Sequence, residues 1–309
     1  MLTPLSLGSY RGRFAPSPSG PLHFGSIIAA TASYLDAKHH QGIWLVRMED
    51  IDTPRVVAGA DTDILKTLEA FGLEWDESVV WQSKRHTFYQ EVLDSLTQNQ
   101  QVYACQCTRK QIKQRGGFYD GHCRDLKLCN QSHALRIKQC FPIHSFEDGI
   151  QGQVHCSDHL ACEDYIVKRS DGLYAYQLVV VVDDYLQNIT HVVRGADLLE
   201  PTARQISLFQ QLNYPIPHYA HVPLAVQKPG FKLSKQNHAP AVDKNNPAPA
   251  LLAALQFLGI EPDNHINVNN VKELLNFATK VYSRDKIAKT PEIVVKLSEA
   301  GYQFTVSAS

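Results

Sequence analysis

His23 and Gly25 stand two apart in "LHFGS", after the proline-punctuated "RFAPSPSG" and before the apolar run "IIAATASYLDA". Backbone N–H groups at the start of such a helix suit an anion, so Gly25 and Ser26 open a candidate phosphate corner. A histidine there has an ordinary alternative as a helix cap. Far along the chain, "KLSKQ" places Lys232 and Lys235 three apart, behind the glycine and proline of "KPG". By itself that pair is a solvated charge pair. Together with the histidine-glycine corner it suggests a triphosphate gripped from both sides. A third constellation, "CQCTRKQIKQRGGFYDGHC", carries Cys105, Cys107 and Cys123, three thiolates suited to tetrahedral Zn²⁺ with a fourth position open. His122 and Cys129 can fill it by plain chemistry. Asp183 and Asp184 read as organisers of a loop, not as a metal pair. Cys129, Cys140, Cys156 and Cys162 receive no functional role.

The elements that must position these groups follow from periodicity. A short strand around "YRGRFA" is ended by Pro16, Pro18, Gly20 and Pro21, which force a tight loop into the first helix. "IWLVRMED" is a near-continuous apolar run ending in charge, as in a buried parallel strand with functional groups at its carboxyl end. Pro54 follows a possible cap at Thr53, and Ile64, Leu65, Leu68 and Phe71 then recur at helical spacing. "RHTFYQEVLDSLTQNQQ" adds an amphipathic helix. This β-α-β-α order predicts an α/β fold with a doubly wound, Rossmann-type parallel sheet. From "VYACQC" the character changes, so residues 101–169 read as an insertion bearing the metal site, between catalytic halves at 1–100 and 170–240. The sheet resumes with "YAYQLVVVVDD" as a strand ending in the two aspartates, then "ITHVVRG", the helix "EPTARQISLFQQL" and the strand "YAHVPLAV". Residues 241–309 are expected to be helical, from "APALLAALQFLGI", "VKELLNFATKVY" and "PEIVVKLSEAGY".

Composition narrows the class of partner. Over 309 residues the formal net charge is −1, so a nucleic acid would be held by a local basic surface such as "CTRKQIKQR" with Lys127. Seven cysteines, an odd number clustered between Cys105 and Cys162, favour metal binding in a reducing cytoplasm over a disulfide framework. "MLTPLSLGSYRGR" lacks the pattern of a signal peptide, and "LVVVV" is far too short to span a membrane. A cytoplasmic monomer is the expectation.

"RFAPSPSGPLHFGS", "RMEDID", "VVDD", "ITHVVRGADL" and "KLSKQ", in that order from residue 11 to about 240, resemble the class I glutamyl-type tRNA synthetases with their HIGH and KMSKS loops. Phe24, Leu233 and Gln236 depart from the usual isoleucine, methionine and serine. The resemblance implies ATP-dependent activation of L-glutamate, with Mg²⁺ accompanying ATP. It places His23, Gly25 and Lys235 on ATP, with Lys232 assisting catalysis from the other end of the loop. Arg13, Phe14, Ala15, Pro16, Ser17, Glu49, Tyr176 and Arg194 would hold glutamate. The family's fourth zinc ligand is a tyrosine, which falls on Tyr119. Only residues 237–309 follow the lysine loop, too few for the large anticodon-binding domain of full synthetases. The layout resembles a truncated branch that attaches glutamate to the queuosine base of tRNA(Asp). An ordinary glutamyl-tRNA synthetase and a silent tRNA-binding paralogue are the alternatives.

Overall fold

The structure is a computed structural model that describes residues 10–130, 132–232, 241–298 and 301–305. Its centre is a parallel sheet. Strand β1 (Arg11–Phe14) pairs with β2 (Ile43–Met48), and β2 with β3 (Val80–Trp81). Two further parallel strands, β9 (His191–Gly195) and β10 (His218–Val222), lie on the other side of β1, with the Thr190 N–H donating to the Arg11 carbonyl at 3.0 Å. Helix α1 (Phe24–His39) makes the crossover between β1 and β2, and α2 (Ala60–Ala70) leads on to β3. Trp44, Leu45, Val46, Arg47 and Met48 of β2 are all buried, as a strand covered on both faces requires. In α1, Ile27, Ile28, Ala30, Ala32, Leu35 and Ala37 are at or near zero exposure, because this helix touches the sheet on one side and two C-terminal helices on the other.

After α3 (His86–Gln98) come β4 (Val102–Cys105), α4 (Arg109–Gln114) and β5 (Ala134–Ile137). The hairpin β6 (Ser145–Asp148) and β7 (Gly152–His155), then α5 (Asp158–Cys162) and β8 (Ile166–Lys168), complete the inserted segment. Strands β4, β5 and β8 form one antiparallel sheet. The β6–β7 hairpin instead packs back on β10, sharing a core with Leu45, Val192 and Tyr219.

Two expected elements differ in the structure. "YAYQLVVVVDD" is not a strand: Tyr176–Leu186 is helix α6, followed by β9. A continuous apolar run fits a buried helix as well as a buried strand. Leu178 to Val182 are all essentially unexposed, so packing on α3, β8 and α7 (Thr202–Gln211) outweighs the strand preference of four valines. The C-terminal region is likewise not wholly helical. Helices α8 (Ala248–Phe257) and α9 (Val271–Val281) form as expected, but β13 (Glu292–Ser298) and β14 (Gly301–Thr305) replace the last helix. Ile293 and Val295 are buried while Lys296 is exposed, a period of two, and β13 runs parallel to β11 (Leu224–Lys228). The remaining strand, β12 (Phe231–Lys232), pairs with β11. Beyond residues 233–240 the chain returns to α1: Ala241 bridges His23, and the Val242 N–H donates to the Leu22 carbonyl at 3.1 Å.

Candidate active site

The chain runs outward from β1 to β3 on one side and from β9 to β10 on the other, so the carboxyl ends of β1 and β9 flank a switch point. Ligands of open α/β sheets bind there. A cavity of about 700 Å³ opens at this place, and Arg13, Phe14, Ala15, Pro16, Ser17, His23, Gly25, Glu49, Tyr176 and Arg194 all line it. Four separated stretches of sequence therefore converge on one cavity. Lys232 lies on β12, whereas Lys235, Leu233 and Gln236 fall outside the described residues.

His23 caps α1, with Nδ1 accepting the Ser26 N–H at 3.3 Å and Nε2 lying 3.2 Å from the Ser26 hydroxyl. The capping and phosphate-facing readings are thus compatible, since the ring also borders the cavity. The first turn of α1 carries no acidic side chain, which leaves its positive end available to an anion.

Beneath the cavity runs a chain of alternating charges. Arg13 donates from Nε (3.1 Å) and Nη2 (3.3 Å) to Asp184. Asp184 also accepts from Arg47 Nη1 at 2.7 Å, and Arg47 Nη2 reaches Glu49 at 3.3 Å. Asp183 takes Arg85 Nε at 2.6 Å, Tyr89 at 2.8 Å and Gln82 at 2.9 Å. The two aspartates project from a helix and not from a strand end, and they tie three arginines in place. Burial works against ionised Asp184, but Arg13 and Arg47 hold its carboxyl below the ordinary range. Glu49 is shifted the other way: burial raises its pKa, against the pull of Arg47 and Arg13. A buried carboxylate of that kind gains from a cationic partner. The ammonium of an amino acid fits that need.

Arg194 differs from Arg13 in its partners. Its Nη2 donates to Thr202 Oγ1 at 2.7 Å and Gln205 Oε1 at 2.9 Å, and its Nε to His221 Nε2 at 3.1 Å. Nη1 points at the Tyr176 hydroxyl, 3.5 Å away. Sequence reading missed Thr202, Gln205 and His221. The signal was present, because Arg194 and His221 are register partners in the adjacent parallel strands "HVVRG" and "HYAHV".

The metal-type cluster lies at the end of β4. The sulfur atoms of Cys105, Cys107 and Cys123 are all within 4.8 Å of one another, with Cys107 and Cys123 3.5 Å apart. In a tetrahedron with Zn–S near 2.3 Å, neighbouring sulfurs stand about 3.8 Å apart, so the set fits. The Tyr119 hydroxyl sits against the cluster, accepting the Cys123 N–H at 2.7 Å under the Arg136 guanidinium. His122 and Cys129 are exposed and do not join the three sulfurs. Burial opposes the Cys105 thiolate, yet the Arg136 hydrogen bond at 3.2 Å holds the thiol below its ordinary pKa.

This fold and cleft define a class I tRNA synthetase catalytic domain. The family described as tRNA synthetases class I (E and Q), catalytic domain, matches residues 9–296. A glutamate tRNA ligase from Elizabethkingia meningosepticum, solved with its amino acid, superposes with a TM-score of 0.75 at 24% identity, covering 91% of this chain and 66% of that one. More specific are two relatives called glutamyl-Q tRNA(Asp) synthetase. The Photobacterium profundum protein is 54% identical and the Escherichia coli K12 protein 52%, each covering 93% of this chain and 92% of its own length. The chain belongs to the glutamyl-Q tRNA(Asp) synthetase family of class I synthetases.

Proposed function

We infer that the cavity binds L-glutamate and ATP, forms glutamyl-adenylate with release of pyrophosphate, and passes the glutamyl group to the queuosine base in the anticodon loop of tRNA(Asp). The observation that supports this most is the convergence of the HIGH-like corner, the "RFAPS" loop, Glu49, Tyr176 and Arg194 on one cavity. Relatives more than half identical carry the matching name.

The chemistry needs positioning more than proton transfer. An α-carboxylate of pKa about 3.5 is ionised at neutral pH, so one of its oxygens attacks the α-phosphorus without a base while the bond to pyrophosphate breaks. Glu49 receives the ammonium, and Arg194, with Tyr176, receives a carboxylate. Arg13 donates two of its nitrogens to Asp184, so it acts as a rigidly held cationic wall. His23, Gly25 and the start of α1 take the phosphates, and Lys235, assisted by Lys232, neutralises charge on the leaving group. Mg²⁺ arrives with ATP, held mainly by phosphate and water oxygens. Transfer then forms an ester to a hydroxyl of the queuosine cyclopentenediol, with AMP leaving. That vicinal diol resembles the ribose cis-diol esterified by an ordinary synthetase.

Zinc is assigned to Cys105, Cys107, Cys123 and Tyr119 as a structural ion, since four protein ligands leave no open position. Bound there, the ion would fasten the loop after β4 beside α4, whose exposed Arg109, Lys110 and Lys113 suit RNA phosphates. Elemental analysis of freshly purified protein is expected to give about one zinc per chain, and Cys123→Ser to lose most of it along with thermal stability. Zinc-free, fully stable protein defeats the assignment.

The test of function is incorporation of labelled glutamate into tRNA(Asp) with queuosine, tRNA(Asp) without it, and tRNA(Glu). Labelling confined to the first is expected. Labelling of tRNA(Glu) makes this an ordinary synthetase, and none anywhere points to a silent RNA-binding paralogue. Among the described residues no helix is long and apolar enough to cross a membrane.

A further inference from the structure

Behind Arg194 lies a buried pair that the reaction above does not use. Asp148, at the end of β6, and His221, on β10, are exposed by only 1% and 0%. Asp148 Oδ1 accepts three backbone N–H groups, from Ile150 (3.0 Å), Gln151 (2.9 Å) and His221 (3.1 Å). Its Oδ2 faces His221 Nδ1 at 2.6 Å. An ionised carboxylate only accepts, so the proton of that contact sits on Nδ1 and the lone pair is left on Nε2. Nε2 is the atom to which Arg194 Nε donates, at 3.1 Å.

The other acceptors of Arg194 are the Thr202 and Tyr176 hydroxyls, the Gln205 side-chain amide and the Leu198 carbonyl, all neutral. Among the described residues no carboxylate pairs with this guanidinium. Across the same cavity, Arg13 has Asp184 as a bidentate partner, a carboxylate it shares with Arg47.

We propose that His221, locked by Asp148 as its Nδ1–H tautomer, is a positioning residue that orients Arg194 through a neutral acceptor and so reserves its charge for a carboxylate of the amino acid. This rests on the glutamate reading given above. A carboxylate in place of the imidazole would orient Arg194 equally well but neutralise it. An imidazolium would set a donor, and a second positive charge, against Arg194 Nε. Burial and Arg194 disfavour that cation, while Asp148 and Asp197 favour it, and the balance keeps the His221 pKa below its ordinary value. The Tyr219 ring stacks beside it at 6.3 Å and adds no charge at neutral pH.

The experiment is glutamate-dependent ATP–pyrophosphate exchange on the full chain with tRNA(Asp) present, for His221→Asn, His221→Gln and Asp148→Asn. Asparagine mimics Nδ1 and keeps the Asp148 contact, but it removes the acceptor for Arg194. Loss of a buried hydrogen bond to a charged group is expected to raise the glutamate KM roughly 10- to 100-fold, with kcat and the ATP KM within about threefold. Glutamine brings an oxygen to the Nε2 position and should restore the glutamate KM to within about fivefold of wild type. Asp148→Asn retains Oδ1 for the backbone and presents an NH₂ to Nδ1, forcing the other tautomer, so it should match His221→Asn.

Nitrogen NMR of the wild-type imidazole supplies a readout that no variant's folding can confuse. Protonation at Nδ1 alone, at pH 7, is expected. An Nε2–H ring or an imidazolium overturns the proposal. So do equal rises in the glutamate and ATP KM values, or a lowered Tm with unchanged KM. A wild-type protein that exchanges with no glutamate but binds another amino acid overturns the parent reading and this one with it; normal wild-type exchange with an unaltered His221→Asn glutamate KM overturns this one alone.

Discussion

Arg194→Ala is expected to raise the glutamate KM by roughly 100- to 4000-fold and leave the ATP KM within about twofold. Breaking a buried ion pair by removing one partner costs about 3–5 kcal/mol, and each 1.4 kcal/mol is a factor of ten. The proposed ATP side of the cavity is formed by His23, Gly25 and the start of α1, whereas Arg194 is held by His221, Tyr176, Thr202 and Gln205. Arg194→Lys separates charge from geometry. It keeps the positive charge but cannot serve Thr202, Gln205 and His221 as a fork does, so an intermediate rise is expected. Exchange kinetics over a range of glutamate concentrations decide the matter: an unchanged KM in the alanine variant takes Arg194 out of the site.

Asp184→Asn is expected to lower the free energy of unfolding by about 3–5 kcal/mol, measured by urea denaturation at pH 7, because it strips the shared carboxylate from two buried arginines. Little change in the urea midpoint would show that the pair contributes nothing. The pH dependence carries a sign that checks the cause. The folded-state pKa of Asp184 is depressed, so its stabilisation is complete above the unfolded carboxylate pKa of about 3.9 and is lost as pH falls through the lower folded value. The variant lacks that limb, and its acid unfolding should be shallower. Glu49 acts in the opposite sense: its raised pKa means that the stability it contributes is present below its unfolded pKa and lost as pH rises through the folded one. Ionised Glu49 is therefore a cost to the folded protein that the proposed ammonium contact would offset.

Much of the catalytic half was legible because it is written in local signals. Prolines between Phe14 and Leu22 stop one strand, an apolar run from Phe24 onward makes a helix, and "IWLVRM" makes a strand covered on both faces. The cysteine spacing foretold the sulfur cluster for the same reason. Helix α6 was not legible, since five consecutive apolar residues have no period by which to choose between helix and strand. Its misreading hid the role of Asp183 and Asp184, whose partners Arg13, Arg47 and Arg85 lie about a hundred residues or more away in sequence. Asp148 was hidden for the same reason. It sits in the segment expected as an insertion, and only the docking of the β6–β7 hairpin brings it beneath His221.

The chain leaves β12 at Lys232 and is fastened again to α1 at Ala241 and Val242, on either side of the segment that holds Lys235. Both anchors adjoin the cavity: β11, which pairs with β12, lines it through Leu224 and Ala225, and His23 is part of its lining. If Lys235 serves ATP as proposed above, pinning both flanks confines it to the neighbourhood of that cavity. Short linkers give local concentrations on the order of millimolar or more. Breaking the bridge between Ala241 and His23 would lengthen the tether of Lys235 and so lower its local concentration at the cavity.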